Sequence, residues 1–269
     1  MLISIITPTF NSAQSIRRNI QSVVPQTCQK YEHIIVDNLS PDNTLTIARN
    51  LYKEAGLENK LKIISEKDEG ISDAFNKGII AANGDIIGIL NSDDAYYNNL
   101  VFQKVVKAFE NPDVLFVHGD IYFDDPDYGS NIRKPLLCPI TEAMPYNHPS
   151  MFFRKNVYEK HGIFNTKYRF AMDYELIIRY EKLINNFTGK GEYLQGEPLA
   201  VMYSGGNSWK YELKAIKESR IALKEHGYWN FNAKKSYFLR VERTRLKEIL
   251  NFLGLNQLVK LWRNRKWKS

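Results

Sequence analysis

The stretch IIGILNSDD, residues 86–94, passes from an apolar run straight into Asn91, Ser92, Asp93 and Asp94. Adjacent carboxylates repel, and a single helix cap cannot help both. Such a pair suits sugar hydroxyls or a divalent cation. Hard oxygen donors with no Cys or His cluster beside them point to Mg²⁺ or Mn²⁺. Other apolar runs end in similar groups: Thr7, Pro8 and Thr9 in TPTFN, Asp37 and Asn38 in VDNLSPD, and Asp68 in SEKDEG. Asp42 and Asp73 sit near helix starts, where capping explains them as well as ligand contact does. Asp173 in AMDYEL opens a helix, so it reads as an N-cap, as a general base, or as both. A lone histidine such as His148 in NHPSMFFRK is more often structural. His33, His118, His161 and His226 have no partner motif and read as ordinary.

The elements that would carry these groups alternate. Short β-branched runs at 2–7, 32–37, 61–66 and 85–90 predict strands. Apolar residues at helical spacing separate them: Ile16, Ile20, Val23 and Val24; Leu45, Ala48, Leu51, Tyr52 and Ala55; then the ISDAFNKGIIAAN segment, stopped by Gly84. Strand–helix alternation of this kind implies an α/β fold with a mostly parallel sheet flanked by helices. Further on, the pattern predicts a helix at 98–110, one strand at 114–123, a polar loop, a strand at 149–155 and a helix at 173–183. YSGGNSW, residues 203–209, reads as a flexible loop, and the rest as helical.

Ligands of open α/β sheets lie beyond the carboxyl ends of the strands. Asp37, Asp68, Asp93 and Asp94 are therefore expected around one crevice. It has neither a Gly-x-Gly-x-x-Gly turn nor a Gly-Lys-Ser/Thr phosphate loop. Bare carboxylates repel phosphate, but they suit a base, a ribose, or a cation that holds a diphosphate on its far side.

The chain has 269 residues, 43% hydrophobic and 25% charged, an ordinary globular composition. The N-terminus does not read as a signal peptide, and no stretch is apolar for long enough to span a bilayer. Cys28 and Cys138 lack metal-type spacing and suggest a reducing compartment. The net charge of +7 is uneven: residues 201–269 hold 16 Lys+Arg against 5 Asp+Glu. Leu255, Leu258, Val259 and Trp262 share a helical face there, and Trp262 and Trp267 stand among basic residues. That basic tail reads as a surface for an anionic membrane, with a solvated helical hairpin as the plainer alternative.

SIITPTFN, IIVDNLSPDNT, EKDEGISDAFNKGIIAANGDIIGILNSDD and MDYELIIR, in this order, resemble family 2 inverting glycosyltransferases of the GT-A fold. The resemblance covers roughly residues 2–180 and is closest to bacterial enzymes of surface-polysaccharide synthesis. It implies that Thr7, Pro8 and Thr9 lie along the nucleotide. Asp37 would bind the base, usually uracil, with Asn38 beside it. Asp68 and Gly70 would lie under the nucleoside, and Asp73 and Asn76 would face the donor. Asn91, Ser92 and Asp93 match the DxD motif, with Asp93 as its metal-bound acid. Its first acid is Asn91 here, which accepts hydrogen bonds but adds no charge. Asp173 matches the catalytic base; the usual Glu-Asp pair is Met172-Asp173. His148 falls where the family often places a polar residue near the donor diphosphate or the acceptor.

The implied protein is a metal-dependent transferase moving a sugar from a nucleotide-sugar, usually UDP-linked, to a glycan or lipid-linked glycan hydroxyl. It would have a Rossmann-like catalytic domain at 1–205, split into a nucleotide half (1–95) and an acceptor half (96–205), and a basic extension at 206–269. It would lie in the cytoplasm at the inner face of a bacterial membrane and bind no nucleic acid. Two rivals are a sugar-phosphate nucleotidyltransferase, which would need a Gly-rich basic loop after the first strand, and a non-catalytic nucleotide- or nucleic-acid-binding protein.

Overall fold

The computed structural model describes residues 1–125, 129–204 and 211–255, with Gln257 and Val259. Most of the expected 203–209 loop, and Leu258, Trp262 and Trp267 of the expected tail face, lie outside the described residues.

The first half follows the sequence pattern. Strands β1 (Ile3–Thr9), β2 (Tyr31–Asp37), β3 (Leu61–Ser65) and β4 (Ile86–Ile89) alternate with helices α1 (Ile16–Val23), α2 (Thr44–Glu54) and α3 (Ile71–Ala81). All four strands pair in parallel, in the order β4-β1-β2-β3. Ile3, Ile5, Ile6, Ile34, Ile35 and Val36 are all fully buried, as expected of strands covered on both faces. Ile6 packs against Phe75 and Ile79 of α3, and Ile3 and Ile5 lie in the cluster of α4 (Val101–Ala108). α3 comes so close to β1 that a Cβ on Gly78 would stand 2.3 Å from the Ile6 side chain.

The chain turns to opposite sides of β1, with β2 on one side and β4 on the other, so the reversal of strand order lies between β1 and β4. Ile6 O accepts the Leu90 N–H at 3.0 Å. Two residues further on, Pro8 has no N–H to offer, and β4 has already ended. The two strands part there, opening a crevice at their carboxyl ends.

The second half departs from the expected pattern. The apolar run 114–123 is two strands: β6 (Phe116–Gly119) joins the main sheet and β7 (Ile121–Asp124) a second sheet. Asp120 makes the break. It is buried, its carboxylate accepts the Tyr193 hydroxyl at 2.6 Å, and its carbonyl accepts the Leu199 N–H. The 149–155 segment gives only a short strand, β9 (Phe152–Arg154), antiparallel between β4 and β6. β10 (Gly191–Leu194) completes the seven-stranded sheet, β10-β6-β9-β4-β1-β2-β3. The smaller sheet, β5-β11-β7-β8, uses β5 (Ala95–Tyr96), β8 (Asn131–Arg133), inside the expected polar loop, and β11 (Ala200–Tyr203).

Helices α5 (Lys155–His161) and α6 (Met172–Leu183) follow β9; α7 (Glu212–Glu225) and α8 (Phe231–Phe252) follow β11. Ala222, Leu223 and Ala233 belong to the same buried cluster as Ile6, Leu176 and Tyr180. α7 and the start of α8 are thus built into the main body. The outer side of α8 is different: Phe231, Phe238, Leu239, Leu246, Ile249, Phe252 and Leu253 are exposed. No described helix is long and apolar enough to cross a membrane.

Candidate active site

The strand ends meet as the sequence pattern predicts, but much of their polarity is turned inward. Thr7 Oγ1 is fully buried, 2.9 Å from His33 Nε2, whose Nδ1 lies 2.7 Å from the Tyr52 hydroxyl. Burial pushes the His33 imidazole down to about 3, so it is neutral. Pro8 is half-buried, and Thr9 donates its hydroxyl to Asp37 at 2.9 Å. Asp37 is fully buried, and its carboxylate also accepts the Ser40 N–H, the Ser40 hydroxyl and the Ser65 hydroxyl. Those four donors join β1, β2 and β3. What projects from the end of β1 is Phe10, 58% exposed, followed by Asn11 with φ of 52°.

Asn38 ties the second strand end to the third, its side-chain oxygen accepting the Asp68 N–H at 2.9 Å. Asp68 in turn accepts the Gly70 N–H. Burial raises the Asp68 carboxyl, against the Gly70 bond and the charge of Lys77. Gly70 has φ of +124°, a conformation open to glycine and costly to other residues. Asp73 accepts the Glu69 N–H and pairs with Lys77 at 3.5 Å. Asp42 accepts from the Thr44 N–H, the Thr44 hydroxyl and the Ala13 N–H, as a helix-start brace does. Both polar atoms of the Asn76 amide are engaged by the main chain of Phe164, at 2.8 and 2.9 Å. Asn76 therefore pins α3 to the segment that leads to Asp173.

The NSDD turn is fastened to the end of β1 and to α1. Ser92 Oγ lies 2.9 Å from Ser12 Oγ, and the Asn19 amide donates to the carbonyls of Asn91 and Asp94. Asp94 is buried, and its carboxyl is raised well above the usual range, first by burial and then by the charge of Asp93. Asp93 is half-buried. Asn91 Oδ1 is buried without a hydrogen-bond partner. Among the described residues no group of three or more His, Cys, Asp or Glu side chains could hold a metal ion.

Asp173 stands in the first turn of α6, its Oδ1 accepting the Tyr174 N–H at 2.8 Å. It lines a small cavity with Ile89, Met144, His148, Met151 and Phe164. Ile89 ends β4, four residues before Asp93, so the base candidate and the NSDD turn share one end of the sheet. His148 stacks on Phe75 with ring centroids 5.7 Å apart. Burial lowers its imidazole, against the opposing pull of Asp173.

Two supports of Asp173 carry no sequence signal. Glu218 of α7 accepts the backbone N–H groups of Arg169, Phe170 and Ala171, at 3.1, 2.8 and 3.0 Å. Glu175, 1% exposed, holds Arg179 at 3.0 Å and His226 at 2.9 Å, so His226 ties α7 to α6. Only the separation of these groups in the chain, bridged by the fold, makes them partners.

The sheet is mostly parallel, and an NSDD turn and the helix-borne acid Asp173 lie at its carboxyl ends. The model of Glycosyl transferase family 2 matches residues 4–180. The chain belongs to that family. A mycobacterial relative, a PGL/p-HBAD biosynthesis glycosyltransferase of Mycobacterium bovis (strain BCG / Pasteur 1173P2), is 30% identical over 182 residues, 66% of this chain and 69% of its own. Two solved structures share the fold. S. aureus TarS 1–349, in complex with UDP-GlcNAc, gives a TM-score of 0.65 at 16% identity over 83% of this chain and 66% of that one. The mannosyltransferase PcManGT from Pyrobaculum calidifontis, in complex with GDP-Man and Mn2+, gives 0.61 at 15% identity over 98% and 82%. The chain spans 40% of the longer TarS chain.

Proposed function

We propose that this glycosyltransferase moves a sugar from a nucleotide-sugar, UDP-linked first of all, to an acceptor hydroxyl, inverting the anomeric centre. The observation that carries this reading is the placement of Asp173 in a cavity lined by the end of β4, the strand that leads into Asp93. Asp173 takes the proton of the attacking hydroxyl. Carboxylate is a weak base, so the proton leaves late, once the oxygen has begun to bond to the anomeric carbon. The diphosphate departs from the opposite face. One base is enough because no covalent intermediate forms.

Thr9, Asp37, Asn38, Asp68 and Gly70 frame the nucleoside. Asp37 does so from beneath, as the knot that fixes the three strand ends. Thr7 and Asn76 act as braces, Asp73 borders the donor from α3, and neutral His148 borders donor and acceptor beside the base. Residues 1–95 form the nucleotide half and 96–205 the acceptor half, with α7 as a support. The partnerless Asn91 Oδ1 and the half-buried Asp93 carboxylate beside it would suit Mn²⁺ or Mg²⁺ held by Asp93 and completed by substrate phosphates. Such an ion supplies Lewis-acid stabilisation of the leaving diphosphate.

The basic C-terminal segment rests on anionic lipid, at the inner face of a bacterial membrane, where a lipid-linked glycan acceptor is available. The exposed apolar residues of α8 and the excess of Lys+Arg support that placement.

Incubation with UDP-sugars and Mn²⁺ tests the central reading. Wild type should release UDP slowly, and Asp173→Asn should bind nucleotide normally yet lose nearly all transfer. Normal turnover in Asp173→Asn removes Asp173 as the base.

A further inference from the structure

We propose that Arg18 is a ligand of the donor diphosphate, an inference that rests on the nucleotide-sugar reading above. Arg18 lies on α1, and its Nη2 donates to the main-chain oxygen of Asp93 at 3.0 Å. Its guanidinium stands 3.3 Å over the ring of Tyr203, the last residue of β11. Two elements distant in sequence thus hold one planar cation against the turn that must meet the diphosphate.

The charge balance of the turn calls for such a group. The Asp93 carboxylate is half-buried in this turn, next to the buried Asp94 side chain. A diphosphate brings more negative charge to the same place. Among the described residues, Arg18 is the cationic side chain hydrogen-bonded to this turn, and it makes no ion pair with a carboxylate. Its side chain is exposed. A guanidinium carries five N–H donors in a rigid fork. One is engaged by the Asp93 carbonyl, which leaves others for phosphate oxygens.

A surface arginine commonly moves freely in solvent. Stacking on Tyr203 and the bond to Asp93 hold this one in place before ligand arrives, which lowers the ordering cost of binding. The fork suits bidentate phosphate contact better than a lysine would. The plainer role is a tie that fastens α1 to the NSDD turn. The two roles differ in which part of the ligand should notice a change.

Calorimetric titration in Mn²⁺ buffer separates them. Wild type, Arg18→Ala and Arg18→Lys are titrated with whichever of UDP, GDP, dTDP and CDP wild type binds best, and with the parent nucleoside. Arg18→Ala should bind the diphosphate about ten- to a hundredfold more weakly, the scale of lost charge-assisted bonds. Nucleoside affinity should stay the same, and Arg18→Lys should fall between. Equal losses for diphosphate and nucleoside would mark a structural tie and overturn the proposal, as would no loss for either. Failure of wild type to bind any of the four diphosphates would refute the donor reading itself, and this assignment with it.

Discussion

Glu218 accepts the backbone N–H of Ala171 at 3.0 Å, two residues ahead of Asp173. The same carboxylate takes the N–H groups of Arg169 and Phe170, so α7 fixes the approach to α6. The first turn of a helix has N–H groups with no partner inside the helix. Here a side chain from another helix meets the groups just before that turn.

Glu218→Ala should therefore cost about 1–2 kcal/mol of stability, since the buried Ala171 and half-buried Phe170 N–H groups, with the exposed Arg169 N–H, lose a charged acceptor. On the proposed reading, it should also lower kcat by more than it raises the KM for the donor. Glu218→Gln, which keeps an accepting oxygen, should recover part of both. Denaturant midpoints and steady-state kinetics of the two variants check this. A pure KM effect would mean that Glu218 does not position the base.

The first four strands and three helices were legible because β1, β2 and β4 are covered on both faces, while β3, at the sheet edge, still keeps a short apolar run. Ile3, Ile5, Ile34 and Ile35 could then form continuous apolar runs between clear helical faces. The run 114–123 was not legible as two strands, because the burial of Asp120 depends on Tyr193 and Leu199, far along the chain. β5, β8 and β11 are too short for alternation to declare itself. At the site, sequence located the strand-end acids but not their partners. Asp37 looked like a ligand contact, yet Thr9, Ser40 and Ser65 already surround its carboxylate. Glu218 and His226 look like ordinary helix-surface residues until α7 is folded against α6.

Acid should weaken the fold through its buried, neutral histidines. His33 and His118 are buried, with imidazoles pushed down to about 3 and about 4. Their unfolded counterparts take protons near 6.5, so below that pH the unfolded chain binds more protons and stability falls as pH falls. At pH 5 each histidine contributes a loss of about 2 kcal/mol. Asp94, raised in the fold, has the opposite sign, but only at pH values below its raised pKa. Urea midpoints from pH 7 to pH 5 should fall steadily, and His33→Gln should flatten the slope. A level wild-type profile would count against buried neutral imidazoles.

The outer side of α8 leads to the last expectation. At 100° per residue, Phe231, Phe238, Leu239, Leu246, Ile249, Phe252 and Leu253 fall within an arc of about 140°, and Phe252 is 91% exposed. Lys234, Lys235 and Arg245 lie inside the same arc, with Arg245 paired to Glu242 at 3.2 Å. Ala233 and Thr244, on the other side, are buried against the body. Apolar side chains interleaved with cations match the boundary between lipid headgroups and acyl chains, and each cation there adds roughly 1 kcal/mol at low salt. The protein should float with vesicles containing phosphatidylglycerol and stay behind with neutral vesicles. Replacing Phe238, Ile249 and Phe252 together by serine should abolish flotation and leave the melting temperature nearly unchanged, because these side chains are exposed in the fold. Unchanged flotation would move the contact elsewhere. A shift from dimer to monomer in the triple variant, with no lipid binding by either form, would show that a second copy of the chain covers this face instead.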